Sequence, residues 1–230
     1  MPDTWNIALI RGVFKIIRRG CNRGQQHFIT ITALMDDNHP EPGKINLMHH
    51  LFVALRPPPA VRATLAATMD GVPQARWQDD DQLHLTVRYI GQVDRRMAED
   101  VVLALGQVGA APIEVAISGV GAFDKKGRVD ALWAGATPHD ALTALHRKVD
   151  HALVRLGLPP EGRAYLPHIT LARISRGAGF GPEIERWQGI HAGLSSPPFT
   201  IEHMTLFESH LGGEAARYEV VERWRLGFGS

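Results

Sequence analysis

Three histidines of this chain each stand two residues before a threonine. The triplets begin at His84, His168 and His203. With 12 histidines and 11 threonines in 230 residues, chance alone gives about 0.6 such triplets. Because alternate residues of a strand point to the same face, a triplet on a strand presents an imidazole beside a hydroxyl. Two such strands therefore offer two titratable rings and two hydrogen-bond donors.

Two imidazoles that face each other across a cleft can act as general base and general acid on a phosphodiester, without a metal. An unperturbed imidazole titrates near pH ~6.5, so a neutral and a protonated ring coexist around neutral pH, and a bell-shaped rate profile is expected. The hydroxyls of Thr86 and Thr170 can donate hydrogen bonds to phosphate oxygens whose charge builds in the transition state. One triplet taken alone is more often a structural pair, so the triplets by themselves do not decide the function.

The elements that must position these residues can be read from hydrophobic periodicity and turn signals. Strands and helices mix without strict alternation, which predicts an α+β fold with mostly antiparallel pairing. Thr137 is the predicted cap of the longest helix, which Pro138 opens and Gly157 ends. The predicted strands are 51–55, 83–90, 113–119, 129–135, 167–173, 199–207 and 218–226, and the other predicted helices cover 60–69 and the stretch from Met97 to Val108.

Composition limits the function classes. The chain has 25 Lys and Arg against 24 Asp and Glu, a net charge of +1, which excludes a polybasic nucleic-acid coat protein. A hydrophobic content of 44% is enough to bury a core. The single cysteine, Cys21, excludes a disulfide framework and a cysteine-based zinc site, and favours the reducing cytosol. No histidine stands at a ligand spacing from a carboxylate, so we expect no metal and no other cofactor.

Residues 1–47 differ from the rest of the chain. The apolar run Trp5–Ile17 is interrupted by Arg11 and Lys15, and it is too short and too charged for a membrane span. Its basic residues lie on the wrong side for a signal peptide. A basic amphipathic surface helix is one interpretation. We favour another, in which 1–47 is an appendage or an over-extended start, joined through the linker-like Asp36–Lys44 to a domain covering 48–230.

From about Leu51 to Leu226 the chain resembles the 2H phosphoesterase superfamily. Within it, the resemblance is closest to the RNA 2′,3′-cyclic phosphodiesterases, historically called 2′-5′ RNA ligases. Residues 1–47 have no counterpart in that family. The segments that carry the resemblance are the strand Leu51–Leu55, the two motif strands His84–Gly91 and Pro167–Arg173, the strand pair Gly119–Phe123 and Ala131–Gly135, and the closing hairpin Leu206–Leu211 with Tyr218–Val220.

The resemblance implies a bilobal fold in which two mostly antiparallel sheets face a central cleft, with helices on the outside. It implies hydrolysis of a 2′,3′-cyclic phosphate at an RNA end to a 2′-phosphomonoester, and the reverse 2′-5′ joining reaction. His168 would be the proton acceptor on the attacking water and His84 the proton donor to the departing 3′ oxygen, while Thr86 and Thr170 would hold the phosphate. The implied partner is RNA with cyclic phosphate ends, tRNA-like fragments included, and the implied protein is a cytoplasmic monomer that needs no membrane.

Arg88 and Arg173 are weaker candidates for phosphate contact. They stand four and five residues after their histidines, so the period of two keeps only Arg88 on the face of its histidine. Either arginine can equally be a surface charge. Phe123 and Trp133 can stack on a base or belong to the core, and the turn 125–128 is either a basic rim for RNA or simply solvated.

His203 falls where the family has a structural strand, so we interpret the third triplet as a coincidence and expect His203→Ala to be nearly silent. Two other functions stay open. The chain can be a phosphodiesterase for small cyclic nucleotides or for ADP-ribose cyclic phosphate, or a non-catalytic module that binds RNA ends. Two titratable histidines with both threonines argue against a purely binding role.

Overall fold

The computed structural model describes residues 5–10, 13–18, 29–31, 48–175, 181–212 and 215–227. The chain divides into two compact units, 1–45 and 46–230. In the first unit, strands β1 (Trp5–Ile10), β2 (Val13–Arg18) and β3 (Ile29–Ile31) form an antiparallel sheet. The amphipathic helix considered for this segment is therefore wrong, because its β-branched and aromatic residues favour strands. The linker-like segment 36–44 and Cys21 lie outside the described residues.

Within its described residues, the second unit contains one large sheet and four α-helices. All of its strand pairs are antiparallel, so the predicted α+β class with antiparallel pairing is confirmed. The strands are β4 (His49–Leu55), β5 (Ala75–Trp77), β6 (Leu85–Val93), β7 (Ile113–Asp124), β8 (Val129–Thr137), β9 (His168–Ile174), β10 (Phe199–Ile201), β11 (His203–Gly212) and β12 (Ala215–Arg225), and the helices are α1 (Pro59–Ala66), α2 (Arg95–Leu105), α3 (His139–Val154) and α4 (Pro182–His191).

The sheet has the strand order β10-β7-β8-β9-β6-β4-β11-β12, with β5 added beside β9. Its two halves meet at β6 and β9 through one residue pair, Leu85 and Ile169. The two expected sheets are thus two halves of one continuous sheet. The sheet curls, since β10 on one edge and β11 in the other half are separated only by Glu202, and the Gly227 N–H donates to the Ala110 carbonyl at 2.7 Å.

The central strands of the sheet each have one face buried in the core. The core face is apolar, as with Val53, Leu85 and Leu132, all of which are buried. The predicted apolar side of α3 is also buried and includes Leu145 and Val149. None of the described helices is long and apolar enough to cross a membrane.

Some local predictions are wrong. Thr137 does not cap α3: it is the last residue of β8, its hydroxyl donates to the Ala116 carbonyl at 3.5 Å, and Pro138 takes the cap position. The predicted strand 199–207 is two strands in different halves of the sheet, because the chain leaves one edge at Ile201 and enters the other half at His203. Strand β5 and helix α4 were not predicted.

Candidate active site

The first two histidine–threonine motifs lie on adjacent strands at the junction of the two halves. β6 and β9 pair in antiparallel fashion at Leu85 and Ile169, the central residues of the two motifs. In such a pair the residues on either side face each other, so His84 lies across from Thr170 and Thr86 lies across from His168. One pairing therefore brings two imidazoles and two hydroxyls together.

Both rings are oriented by a backbone carbonyl two residues earlier. Nδ1 of His168 lies 2.7 Å from the Leu166 carbonyl oxygen, and the ring of His84 donates to the Gln82 carbonyl. A ring that donates through Nδ1 has its other nitrogen, Nε2, as an acceptor. His168 is therefore held in the tautomer that can take a proton from water.

His84 is enclosed by aromatic rings. The centroid of its ring lies 4.9 Å from that of Phe52 and 5.3 Å from that of Tyr218, which meets it edge-on; the ring of Phe207 is 6.2 Å away. Burial, together with the charges of His168, Arg173 and Arg56, outweighs the bond to the Gln82 carbonyl and lowers the pKa of His84 to about 4. His84 is therefore neutral at pH 7 in the absence of substrate.

His168 also contacts aromatic rings, but fewer of them than His84. The ring of Phe123 meets it edge-on at 4.8 Å, and that of Trp133 lies at 6.2 Å. Burial lowers the pKa of His168 below 6.5, the bond to the Leu166 carbonyl raises it, and Arg173 lowers it. Both rings are thus neutral around pH 7, and the expectation that one is protonated there is corrected for the substrate-free protein.

A β-bulge follows each motif threonine. In the pairing of β4 with β6, Ala54 is opposite Thr86 but Val53 is opposite Arg88, so Val87 is an extra residue. In the pairing of β8 with β9, Trp133 is opposite Thr170 but Leu132 is opposite Ala172, so Leu171 is extra. Both extra residues stand three positions after the histidine. Beyond each bulge, the alternation of faces is shifted by one residue.

The first bulge removes Arg88 from the site. Arg88 is 7% exposed and lies on the core face, opposite Val53. Its Nε donates to Oδ1 of Asp150 on α3 at 2.7 Å, and its Nη2 donates to the Pro159 carbonyl at 2.6 Å. The argument from strict alternation, which placed Arg88 beside His84, is therefore wrong.

The second bulge has the opposite effect on Arg173. This residue is opposite Ala131, on the face that carries Phe123 and Thr170, and it is exposed. Its charge lowers the pKa values of both motif histidines and of Tyr218. Arg76 of β5 lies directly across from it. The structure thus brings Arg173 toward the histidines, where strict alternation predicted that it points away.

The backbone around the first bulge is held by two side chains. The hydroxyl of Tyr165 donates to the Thr86 carbonyl at 3.2 Å, and Nδ1 of His146 bonds the Val87 carbonyl at 2.8 Å. The rings of Tyr165 and His146 stack at 4.3 Å. Within the described residues, the Thr86 and Thr170 hydroxyls make no hydrogen bond, so both can donate to a ligand.

The remaining candidates divide between the site and its rim. Trp133 packs over Gly121, where a Cβ would lie 2.1 Å from its ring. The turn 125–128 is mostly exposed, between β7 and β8, so it lies at the end of the strand that carries Phe123. No cluster of three or more histidine, cysteine, aspartate or glutamate side chains suited to a metal is present in the described ranges.

Several residues around the histidines were not predicted. Phe52, Tyr218 and Phe207 come from three other strands, and the sequence signal for each was limited to an aromatic residue at an alternate strand position. Arg56 follows β4 directly and bonds Asp81 at 3.0 Å. It lowers the pKa of His84 because β4 pairs with β6 and Leu55 is opposite Leu85, which brings the residue after β4 close to His84.

The second unit is similar to known proteins. The family model described as the 2′-5′ RNA ligase superfamily matches residues 57–213. A protein named RNA 2′,3′-cyclic phosphodiesterase from Methanocaldococcus jannaschii is 25% identical over 182 residues, which is 76% of this chain and 99% of that protein.

Solved structures share the fold. The E. coli LigT structure with 3′-AMP matches with a TM-score of 0.64 and 22% identity, over 78% of this chain and 99% of that one. The structure of TT0787 from Thermus thermophilus matches with a TM-score of 0.63 and 24% identity, over 77% and 97%. The family model covers both motif strands and more than half of the sequence. The chain is a member of the 2′-5′ RNA ligase superfamily, the 2H phosphoesterases.

Proposed function

We propose that this protein hydrolyses 2′,3′-cyclic phosphates at RNA ends to 2′-phosphomonoesters, with His84 and His168 as the acid–base pair. The observation that carries the proposal is the single strand pairing at Leu85 and Ile169, which sets each histidine across from the other motif's threonine. The name of the curated relative, RNA 2′,3′-cyclic phosphodiesterase, supports the same substrate class.

His168 has the properties of the base. Its ring is neutral at pH 7 and its Nδ1–H is bonded to the Leu166 carbonyl. Nε2 takes a proton from a water molecule as the water oxygen forms a bond to phosphorus. The base then carries a positive charge and returns its proton to solvent after the reaction.

His84 has the role of the acid. The bond from phosphorus to the 3′ oxygen breaks, and that oxygen receives a proton from the His84 ring, leaving a 3′ hydroxyl and a 2′-phosphomonoester. Because the pKa of His84 is about 4 in the free protein, the ring must gain its proton when an anion binds. A phosphate charge beside the ring favours the protonated form and raises the pKa.

The phosphate is held by neutral and charged donors. The hydroxyls of Thr86 and Thr170 donate to the non-bridging oxygens, where charge builds in the transition state. Arg173 adds a positive charge on the same face. We assign contact with the terminal base to Phe123, whose ring meets that of His168 edge-on. The reverse reaction, in which a ribose hydroxyl replaces water, gives a 2′-5′ linkage with the same groups.

The test uses EDTA-treated protein with a short RNA that ends in a 2′,3′-cyclic phosphate, and in parallel a free 2′,3′-cyclic nucleotide. We expect turnover of the RNA to a 2′-phosphate, because the two rings supply the acid and the base. Turnover of the mononucleotide alone would favour a small-nucleotide enzyme. RNA binding without turnover of either substrate would contradict the proposal and leave a module that binds RNA ends.

A further inference from the structure

A cavity of about 390 Å³ lies beside the histidine site and contains the third histidine–threonine motif. A volume of this order is typical of small-ligand sites. The side chains that matter for its chemistry are His203, Thr205, Arg56, Arg62 and Arg223. The motif interpreted from the sequence as a coincidence therefore lines a cavity instead of lying on a featureless strand.

The cavity opens on the same face of the sheet as the catalytic pair. Thr205 is opposite Ala54, and Ala54 is opposite Thr86, so the three residues share one face across adjacent strands. Two strand spacings separate Thr205 from Thr86, a distance of about 10 Å. Phe207 lines the cavity and also lies 6.2 Å from the ring of His84. The cavity is thus a continuation of the cleft.

The charge of the lining favours an anion. Three arginines line the cavity against one acidic residue, Glu202, and two of them, Arg56 and Arg62, also pair with Asp80. Arg62 is held rigidly, with Nη1 on the Pro57 carbonyl at 2.7 Å and Nε on Asp80 at 2.8 Å. Arg223 lies directly across from Thr205. Thr205 is only 5% exposed, and its hydroxyl makes no hydrogen bond within the described part of the chain.

The neighbours of this third motif suit binding and not acid–base chemistry. The residues opposite Thr205 on its two neighbouring strands are Ala54 and Arg223. Thr86, in contrast, has His168 across from it. Burial, together with Arg223, lowers the pKa of His203, so the ring is a neutral hydrogen-bond partner at pH 7. A buried hydroxyl, a neutral imidazole and fixed arginines are suitable donors for phosphate oxygens.

We propose that this cavity binds a backbone phosphate of the RNA strand upstream of its cyclic end. The inference rests on the proposed function, because the cyclic phosphate at the histidine pair places the upstream strand in the cleft. A mononucleotide seated at Thr86 has no phosphate at that distance. The cavity therefore separates RNA from free cyclic nucleotides as substrates.

The test compares Thr205→Val, His203→Ala and Arg223→Gln with the wild type on two substrates, a five-nucleotide RNA ending in a 2′,3′-cyclic phosphate and the corresponding free cyclic nucleotide. We expect KM for the RNA to rise about tenfold, as for the loss of one hydrogen bond to a charged group. For the RNA substrate this replaces the expectation from sequence that His203→Ala is nearly silent. Values for the mononucleotide should stay within about twofold. Arg96→Gln, an exposed arginine on α2, is the matched control.

The salt dependence gives a second readout. Removing one phosphate contact by Arg223→Gln should reduce the slope of log affinity against log salt by about 0.7 for single-stranded RNA. Equal effects on both substrates, or no effect on either, would overturn the proposal. A third outcome would also overturn it. If inorganic phosphate inhibits turnover of the mononucleotide less in Arg223→Gln than in the wild type, the cavity binds a free anion close to the reaction.

Failure of the proposed function is recognised separately. If the wild type turns over neither substrate, binding of the product-like RNA ending in a 2′-phosphate is measured instead. Weaker binding of the RNA by all three variants, with unchanged binding of the mononucleotide phosphate, would still establish the subsite. Equal binding by wild type and variants would exclude it.

Discussion

The two halves of the sheet repeat one backbone arrangement and differ in side chains. In each half a histidine donates to a carbonyl two residues earlier, a threonine follows two residues later, and a bulge comes next. Counting from the histidines, Arg88 corresponds to Ala172 and Tyr89 corresponds to Arg173. The backbone therefore makes two equivalent sites for an imidazole and a hydroxyl, and the residues after the bulges make them unequal.

The inequality lies first in burial, which is the main cause of the lowered pKa of both rings, and then in the neighbouring charges. Arg173 adds positive charge beside β9, whereas the equivalent residue on β6 is the exposed Tyr89. His84 is surrounded by three aromatic rings and is affected by two arginines and by His168, and its pKa is lowered to about 4. Burial also lowers the pKa of His168, with Arg173 as the neighbouring charge that adds to it. Similar rings thus differ in how readily they take a proton.

The largest expected effect comes from removing either ring. His84→Ala and His168→Ala should each lower kcat on the cyclic-phosphate RNA by about 10²–10⁴-fold, the usual contribution of a general acid or base. Because both act in one step, the double variant should be little worse than the single ones. Steady-state kinetics with 2′-phosphate analysis measures this.

A matched control for the histidine variants is His151→Ala, an exposed histidine on α3, which should keep wild-type kcat. If only one of the two single variants loses activity, the two halves do not share the chemistry, and the two-histidine mechanism is excluded. Multiplicative effects in the double variant would show that the rings act in separate steps.

The two arginines should separate stability from activity. Arg88→Met removes the partner of Asp150, whose pKa is held below its ordinary value because hydrogen bonds, chiefly from Arg88, outweigh the effect of burial. Because the Asp150 carboxylate then stays buried without its arginine, the free energy of unfolding should fall by about 3–5 kcal/mol. Arg173→Met should leave the unfolding free energy nearly unchanged and lower kcat/KM about 10–100-fold.

Urea denaturation and kinetics on the same preparations check both values. The stability of Arg88→Met is measured first, so that activity is compared at a temperature at which the variant is folded. A folded Arg88→Met with a large kinetic defect, together with a fully active Arg173→Met, would reverse the assignment made from the bulges.

The pH profile sharpens the comparison of the two rings. In the free enzyme the base must be neutral and the acid protonated, and both pKa values lie below 6.5. The fraction in the productive state falls above the higher pKa and below the lower one. We expect kcat/KM to be bell-shaped with its maximum below pH 6.5 and its acid limb near pH 4.

Because bound phosphate raises the pKa of the acid, the maximum of kcat should lie at higher pH than that of kcat/KM. Replacing Arg173 with Met should move both limbs of the kcat/KM profile to higher pH, since the charge of Arg173 lowers both pKa values. A kcat/KM maximum above pH 7 would show that burial does not control these rings in solution.

The elements that carry the chemistry were predictable because they are local. The strand at 51–55 is a short continuous apolar run, the strands at 83–90 and 167–173 alternate apolar and polar residues, and each motif occupies a few residues on one strand. The apolar side of α3 was predicted for the same reason. The family resemblance supplied the middle strand pair and the closing hairpin, which periodicity alone does not provide, but it did not supply the pairing of the two motif strands.

The errors over Arg88 and Arg173 have one physical origin. A bulge adds a residue without changing the composition of a strand, so alternation fails at Val87 and at Leu171 with no local signal. Strict alternation therefore assigned Arg88 to the face of the histidines and Arg173 to the opposite face, and the structure shows the reverse. The predicted strand 199–207 was likewise wrong, because the chain passes between the two halves of the sheet at Glu202.

The smallest expected effect tests how the first bulge is held. Tyr165→Phe removes the hydroxyl that donates to the Thr86 carbonyl but keeps the ring stacked on His146. The loss of one neutral hydrogen bond should cost about 1 kcal/mol of unfolding free energy. The bond supports the strand that carries Thr86 and does not support the strand that carries Thr170, so only one of the two phosphate contacts is disturbed. We therefore expect kcat to fall a few-fold and KM to stay within twofold. Tyr89→Phe, with an exposed ring, is the control, and equal kinetics for the two variants would show that the bulge is positioned without Tyr165.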